Sequence, residues 1–296
     1  MELSEHLKKQ NVPAKLARLI QLFAREGLAV RQAFLQVEGL SDTRNVYGEQ
    51  QMELDKWADA HFIAALKESR LTREIASEEQ AEVVEGGGGP FAVCMDPLDG
   101  SSCIETNLAV GTIFGVHKDS VRKPGRDLLA AGYILYGPLT TFVYCVAGAG
   151  GVHEFVADPK GKFRLREENL RLGSKKIFGP GGAKSEYLPA HARFIEGLEA
   201  QGYKIRFSGS FVADFNQILH YGGLFTYPAT REAPQGKLRL LFECAPLAFL
   251  CLAAGGDAST GMQKVLEVLP TQLSQRVPLY VGGKKEIALV ERCFKE

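Results

Sequence analysis

Apolar residues recur at helical spacing from Ala14 to about Val37, at Leu16, Leu19, Ile20, Phe23, Val30, Phe34 and Val37. Such a stripe predicts an amphipathic helix. A second helical pattern starts near Gln50 and carries Leu54, Trp57, Ala58, Phe62, Ala65 and Leu66. A run of four glycines and a proline at 86–90 then breaks the pattern. No GK[ST] follows it and no helix opens there, so it reads as a mobile surface loop and not a phosphate cradle. Phe91–Met95 and Thr112–His117 read as buried strands. A meander follows over Leu129–Tyr136, Thr141–Ala147, Val152–Ala157 and Lys162–Leu165, divided by GP, GAGG and DPKG turns.

The rhythm changes near residue 175. Glu186–Ala200 and Phe211–His220 have helical patterns, Lys237–Phe242 is strand-like, and Pro246–Ala254 is an apolar helix closed by Gly255-Gly256. The expectation is an α/β (α+β) protein of two packed domains, 1–175 with helices plus a largely antiparallel sheet, and 176–296 with alternating helices and strands.

Composition narrows the function classes. The 296 residues are 45% hydrophobic, enough for a large core. Lys plus Arg and Asp plus Glu are 35 each, so the formal charge is zero. A neutral chain has no global field for nucleic acid, and an anionic ligand must be held by a local site. The longest strongly apolar stretch, Leu247–Ala254, is far short of the roughly 20 residues of a membrane span. The polar start MELSEHLKKQ has no signal-peptide core. The six cysteines form no CxxC pair, and several lie inside apolar runs. The expectation is a cytoplasmic protein with reduced thiols.

Candidate chemistry centres on Asp96-Pro97-Leu98-Asp99-Gly100-Ser101-Ser102, directly after an apolar strand. Two carboxylates three residues apart, in a turn forced by Pro and Gly, can converge on a hard cation such as magnesium or manganese. Backbone N–H groups of the Gly-Ser-Ser segment could receive a phosphate. The same letters also spell a plain turn. Glu78-Glu79 and Asp55 each read alone as solvated surface. Glu243 stands between two apolar elements, where a carboxylate needs a partner, either a metal or an arginine.

Taken together, NVYGEQ (45–50), SEE (77–79), CMDPLDGSS (94–102), VGTIFGV (110–116), YGGLFTYPA (221–229), KLRLLFECAPLAFL (237–250) and AGG (254–256) resemble the class 1 fructose-1,6-bisphosphatases, within the magnesium-dependent, lithium-sensitive sugar phosphatases. The resemblance runs from about residue 15 to about 285. It implies a layered αβαβα sandwich and hydrolysis of the 1-phosphate of fructose 1,6-bisphosphate by metal-activated water, of the gluconeogenic or Calvin-cycle type. It also implies Mg2+ (or Mn2+) as cofactor and a homo-oligomer, by family habit a tetramer. Residue by residue, it implies metal ligation by Glu78, Asp96, Asp99 and Glu243, with the Leu98 carbonyl as a further ligand. Asp55 and Glu79 match carboxylates that polarise the attacking water. Glu49 stands for an Asp of a mobile loop. Asp99, Gly100, Ser101 and Ser102 match the 1-phosphate cradle, and Tyr227, Lys237 and Arg206 the distal phosphate site, with Arg206 reaching a neighbouring subunit.

Two departures stand out. Phe207 replaces a tyrosine, and the segment 178–184, with Gly179 and Gly182, replaces an Asn-Glu-Gly-Tyr loop, so that backbone amides would have to contact the phosphate. That loop partly resembles sedoheptulose-1,7-bisphosphatases, which keeps a seven-carbon substrate as the alternative. Where the family binds AMP through a threonine and a Lys-Tyr pair, this chain has Pro13 and Pro90-Phe91. Proline supplies neither hydroxyl nor ammonium. Micromolar AMP is therefore expected to leave turnover unchanged in a phosphate-release assay; strong inhibition would refute the reading.

Overall fold

The structure, a computed structural model, describes residues 1–34, 40–44 and 50–295, with only the backbone described for 40–44 and 50–52. Helices α1 (Leu3–Lys9), α2 (Ala14–Ala33) and α3 (Glu53–Ser69) occupy the N-terminal part, with the short hairpin β1 (Leu40–Arg44) and β2 (Gln50–Met52) between α2 and α3. The chain then builds β3 (Thr72–Ser77), β4 (Val84–Glu85), β5 (Phe91–Asp99), β6 (Val110–Lys118), β7 (Ala130–Tyr136), β8 (Thr140–Val146), β9 (Val152–Ala157) and β10 (Phe163–Leu170). These eight strands form one sheet in the order β10-β9-β8-β7-β6-β5-β3-β4. It is antiparallel except where β3 runs parallel to β5. The predicted meander is the β7–β10 half of this sheet.

The remaining elements are β11 (Ile177–Pro180), α4 (Pro189–Ala200), β12 (Lys204–Ile205), α5 (Phe211–Tyr221), β13 (Leu224–Tyr227), α6 (Ala245–Ala253), β14 (Asp257–Ser259), β15 (Leu279–Gly282) and α7 (Lys284–Cys293). Their strands form a second sheet, ordered β12-β11-β13-β15-β14.

Three apolar clusters fix five layers. The α2 stripe and α3 pack on one face of the first sheet, where Phe23 stacks on Phe114 with ring centroids 4.0 Å apart and Phe62 lies 5.5 Å from Phe23. The other face, with Ile113, Tyr133 and Val143, meets α5 and α6, which in turn cover Phe225, Leu279 and Val281 of the second sheet. Phe194 and Ile195 of α4 and Ile287 and Val290 of α7 cover its far face. This is the expected αβαβα sandwich.

Two local expectations are corrected. Lys237–Phe242 is not a strand throughout. Leu238 and Leu240 pair with Val277 and Gln275, and Leu240–Cys244 then winds into a single π-helical turn leading into α6. The apolar run is buried either way, so its pattern does not tell the two apart. The glycines at 86–89 are not a free loop. A Cβ on Gly86, Gly87 or Gly89 would fall 2.0–2.4 Å from backbone atoms of Thr72, Lys67 or Leu71, so glycine serves close backbone packing there.

Phe23 is fully buried between α3 and the sheet. Phe23→Ala is expected to cost about 3–5 kcal/mol, read as a lowered urea midpoint at unchanged slope.

Candidate active site

Residues three apart on a regular strand point to opposite faces. Asp96 and Asp99 escape that rule because the β5–β6 register slips between them. Asp96 pairs with Ile113 and Asp99 with Gly111, so three steps on β5 match two on β6. The extra residue is a β-bulge, and it re-aims the side chains. The structure thus corrects the reading of DPLD as a turn: the segment is the end of β5, and the turn starts at Gly100. Gly100 has φ +78°, and a Cβ there would lie 2.5 Å from Cβ of Ser210, so glycine is required on both counts.

Parallel pairing of β3 with β5 sets Ser77 beside Met95, and the Glu78 N–H donates to the Met95 carbonyl at 3.1 Å. Glu78 therefore emerges next to Asp96. Glu243 enters from the π-helical turn, its Oε2 accepting the Arg239 backbone N–H at 2.6 Å. Ligand atoms of Asp96, Asp99 and Glu243 lie within 4.8 Å of one another, and all three residues are buried. The Arg239 guanidinium, also buried, pairs with Glu78. Arg239 was missed at the sequence level, and it answers the arginine-or-metal question for Glu243 only in part. Its charge acts on Glu78 and Glu243, while the ligand atoms of Asp96, Asp99 and Glu243 lie close enough together to hold a cation.

The electrostatics agree. Burial, reinforced by the charges of Glu78 and Asp99, pushes the Asp96 carboxyl well above the usual range. Burial and the charges of Glu78 and Asp99 do the same to Glu243. Asp99 is pushed up to about 7 by burial, against the pull of the Val212 N–H. That N–H, at the start of α5, donates to Asp99 Oδ2 at 2.8 Å, and the Ser210 hydroxyl donates to the same oxygen at 3.2 Å. A helix N-terminus aimed at a carboxylate favours its ionised form.

The same cleft is lined by Glu79, Leu98, Gly100, Ser101, Ser102, Phe207, Tyr227 and Lys237. Ser101–Cys103 form a single 3-10 turn, whose leading N–H groups have no partner within the turn. Lys237 Nζ stands 5.7 Å from the Tyr227 ring centre. Asp55 does not line the cleft, yet it is 5% exposed, so its reading as surface is corrected. It lies one turn before Asp59 on the same side of α3. Asp59, another residue the sequence did not single out, accepts from Ser77 Oγ and Gln80 Nε2, on either side of Glu78 and Glu79. Glu49 lies outside the described residues. Gly179 sits in the β11 ladder opposite Phe225, Gly182 packs near Thr230 and Tyr187, and Arg206 is exposed; none of the three lines the cleft.

A layered α/β sandwich with Asp96, Asp99 and Glu243 gathered in one cleft defines a protein with an acidic cluster that could hold a metal ion. Residues 4–168 match the family described as fructose-1,6-bisphosphatase, N-terminal domain, and residues 173–295 match its C-terminal domain. The chain belongs to the class 1 fructose-1,6-bisphosphatase family. A relative of that name from Methanocorpusculum labreanum is 43% identical over 98% of this chain and 90% of its own. Another from Methanospirillum hungatei is 42% identical over 99% and 95%. Among solved structures, Leishmania major fructose-1,6-bisphosphatase in holo form superposes with TM-score 0.95 at 29% identity, covering 100% of this chain and 99% of that one. The T-state of the same enzyme gives 0.89.

The raised carboxyl of Asp99 sets a pH dependence. In the metal-stripped chain its neutral form is favoured, a stabilisation whole below the ordinary value of 3.8 and lost as pH rises through about 7. A cation needs the ionised form, so its binding displaces protons and strengthens over the same range. The gap in Tm between Mg2+-loaded and EDTA-treated protein is expected to widen from about pH 5 to about pH 8. A gap independent of pH would contradict this.

Proposed function

We propose that the chain is a divalent-cation-dependent phosphoric monoester hydrolase that releases the 1-phosphate of fructose 1,6-bisphosphate, giving fructose 6-phosphate and inorganic phosphate. The observation that carries the reading is the buried set Asp96, Asp99 and Glu243 in a cleft also lined by Gly100, Ser101, Ser102 and Lys237.

Glu78, Asp96, Asp99 and Glu243, with the Leu98 carbonyl, are the groups that would hold magnesium or manganese. Their all-oxygen donor set and excess negative charge fit such ions. When bound, the ions supply an activated water and neutralise charge on the phosphoryl oxygens. The protein's own part is to place the reactants. The Gly100, Ser101 and Ser102 amides, with the serine hydroxyls, receive the oxygens of the 1-phosphate in line with the cleft floor. Glu79, which lines the cleft, orients the attacking water and accepts its proton, with Asp55 polarising from its buried place outside the cleft lining and Glu49 assisting from outside the described residues. Lys237 and Tyr227 hold the distal phosphate, so that binding energy far from the reacting centre fixes its position. Gly179 and Gly182 support this end by letting the 178–184 segment approach. Gly181 in particular leaves no room for a Cβ beside the Tyr227 ring.

Arg206 is exposed here, and among the described residues its side chain donates to the adjacent Ile205 carbonyl. A role at a neighbouring subunit's distal phosphate, within a homotetramer, would employ it. The N-terminal half would then carry metal and 1-phosphate, and the C-terminal half the sugar and distal phosphate. Six free cysteines, five of them buried, suit a cytoplasmic location. Among the described residues no helix is long and apolar enough to cross a membrane. No observation favours the seven-carbon alternative.

With Mg2+ present, phosphate release from fructose 1,6-bisphosphate is expected to exceed that from sedoheptulose 1,7-bisphosphate at least tenfold in kcat/KM, about 1.4 kcal/mol. Inositol 1-phosphate should be inert. Asp99→Asn should lose at least about a hundredfold in kcat while its circular dichroism stays native. Activity on neither bisphosphate would sink the assignment.

A further inference from the structure

The cross-strand row that begins at Asp96 runs through Ile113, Tyr133 and Val143 to Glu154 on β9 and Glu167 on β10. Ile113, Tyr133 and Val143 face the layer of α5 and α6, Glu154 is buried at the end of the row, and Glu167 is exposed. The middle of the row is apolar and joins the interlayer core. Its far end is a pair of carboxylates directly opposite each other, an arrangement that is destabilising on its own. The register shifts on both sides of Glu167, which aims this side chain individually. His220, in the last turn of α5, closes over the pair with Nε2 3.1 Å from Glu154 Oε1.

Glu154 is fully buried, and its second oxygen, Oε2, has no hydrogen-bond partner. The Nε of Arg166 stands 3.4 Å from that oxygen without forming a hydrogen bond, on a side chain that is 52% exposed. One nitrogen of His220 and one oxygen each of Glu154 and Glu167 lie within 4.8 Å of one another. A buried carboxylate whose second oxygen has an ion-pair contact with a half-exposed arginine but no hydrogen bond, with the exposed Glu167 opposite and an imidazole alongside, leaves a place for a cation. Another cluster, His6, His153 and Glu168, is less suited. The Nε2 of His153 lies 3.0 Å from the Gly150 carbonyl, and its Nδ1 accepts the Asn169 N–H, so both ring nitrogens are engaged.

We propose that Glu154, Glu167 and His220 form a second divalent-cation site, of the zinc class, separate from the acidic cleft. Mixed imidazole and carboxylate ligands suit zinc, whose bonds to such groups are about 2 Å and which leaves a fourth position for water when three protein ligands bind. Small side-chain rotations bring the three groups to that distance, and Arg166 turns out to solvent. Four strand steps separate β9 from β5, or about 19 Å at the usual spacing, so one ion cannot serve both places. The site clips the C-terminal turn of α5 to the end of the sheet. The N-terminal turn of the same helix holds Asp99.

The test uses the intact protein loaded with zinc chloride, dialysed and counted for metal, with X-ray absorption at the zinc edge. No histidine lines the acidic cleft among the described residues, and the His6–His153–Glu168 cluster keeps its histidines in the variants, so imidazole scattering that is lost with His220→Asn reports the second site. The wild type is expected to hold one zinc more per chain than His220→Asn and to show an imidazole shell that this variant lacks. Glu154→Gln should lose the same ion. If the first variant is unstable, the second decides the matter. Equal zinc counts in all three proteins, no imidazole shell in the wild type, or a shell that persists in both variants would overturn the proposal.

Discussion

Mutual repulsion of buried carboxylates is the constraint around which this structure is arranged. Asp96, Asp99 and Glu243 crowd together out of water, with Glu78 beside them. Each feature nearby either holds one of them in place or offsets its charge. The bulge at the end of β5 turns two aspartates to one side, the amide at the start of α5 grips one of them, and Arg239 pairs with Glu78. Without cations these devices leave the acids reluctant to ionise, as the raised positions of Asp96, Asp99 and Glu243 record. Burial is the first cause of this in all three, and the charges of the neighbouring acids add to it.

The site is also divided between the two halves of the chain. The first sheet supplies Glu78, Asp96 and Asp99; the π-helical turn and α5, which follow residue 200, supply Glu243, Arg239 and the Val212 amide. Only docking of the layers through the Ile113, Tyr133 and Val143 face completes the cleft. Interiors pack at crystal-like density, so a shift of α5 against the first sheet would move the Asp99 contact with it.

What the sequence made legible follows this division. Periodicity located α2, α3, α5 and the meander, because each shows an amphipathic or alternating face, and α6 was marked by a continuous apolar run ended by two glycines. Side-chain chemistry located the acids. Contacts made by backbone left little trace: nothing in the letters marks the Val212 N–H as a partner of Asp99, or Gly86, Gly87 and Gly89 as packed against other backbone. Arg239, one polar residue among leucines, reads as the outward face of a strand, whereas the π-helical turn carries it inward. Asp55 read as surface and Asp59 drew no reading, and only the contacts of Asp59 with Ser77 and Gln80 show that this side of α3 packs against the segment carrying Glu78 and Glu79.

The acids at the two ends of the cross-strand row act on each other weakly through space. Two unit charges about 19 Å apart in a medium of effective dielectric about 20 interact by roughly 1 kcal/mol. That is small beside the penalty of burying a single unpaired carboxylate. Any influence of the far end on the cleft must therefore be mechanical, and α5 is the element suited to it. Its eleven residues span about 16 Å, with the Asp99 contact at one end and the His220–Glu154 contact at the other. A helix held at one end alone can pivot about that point. Held at both, it presents the Val212 amide to Asp99 in one orientation.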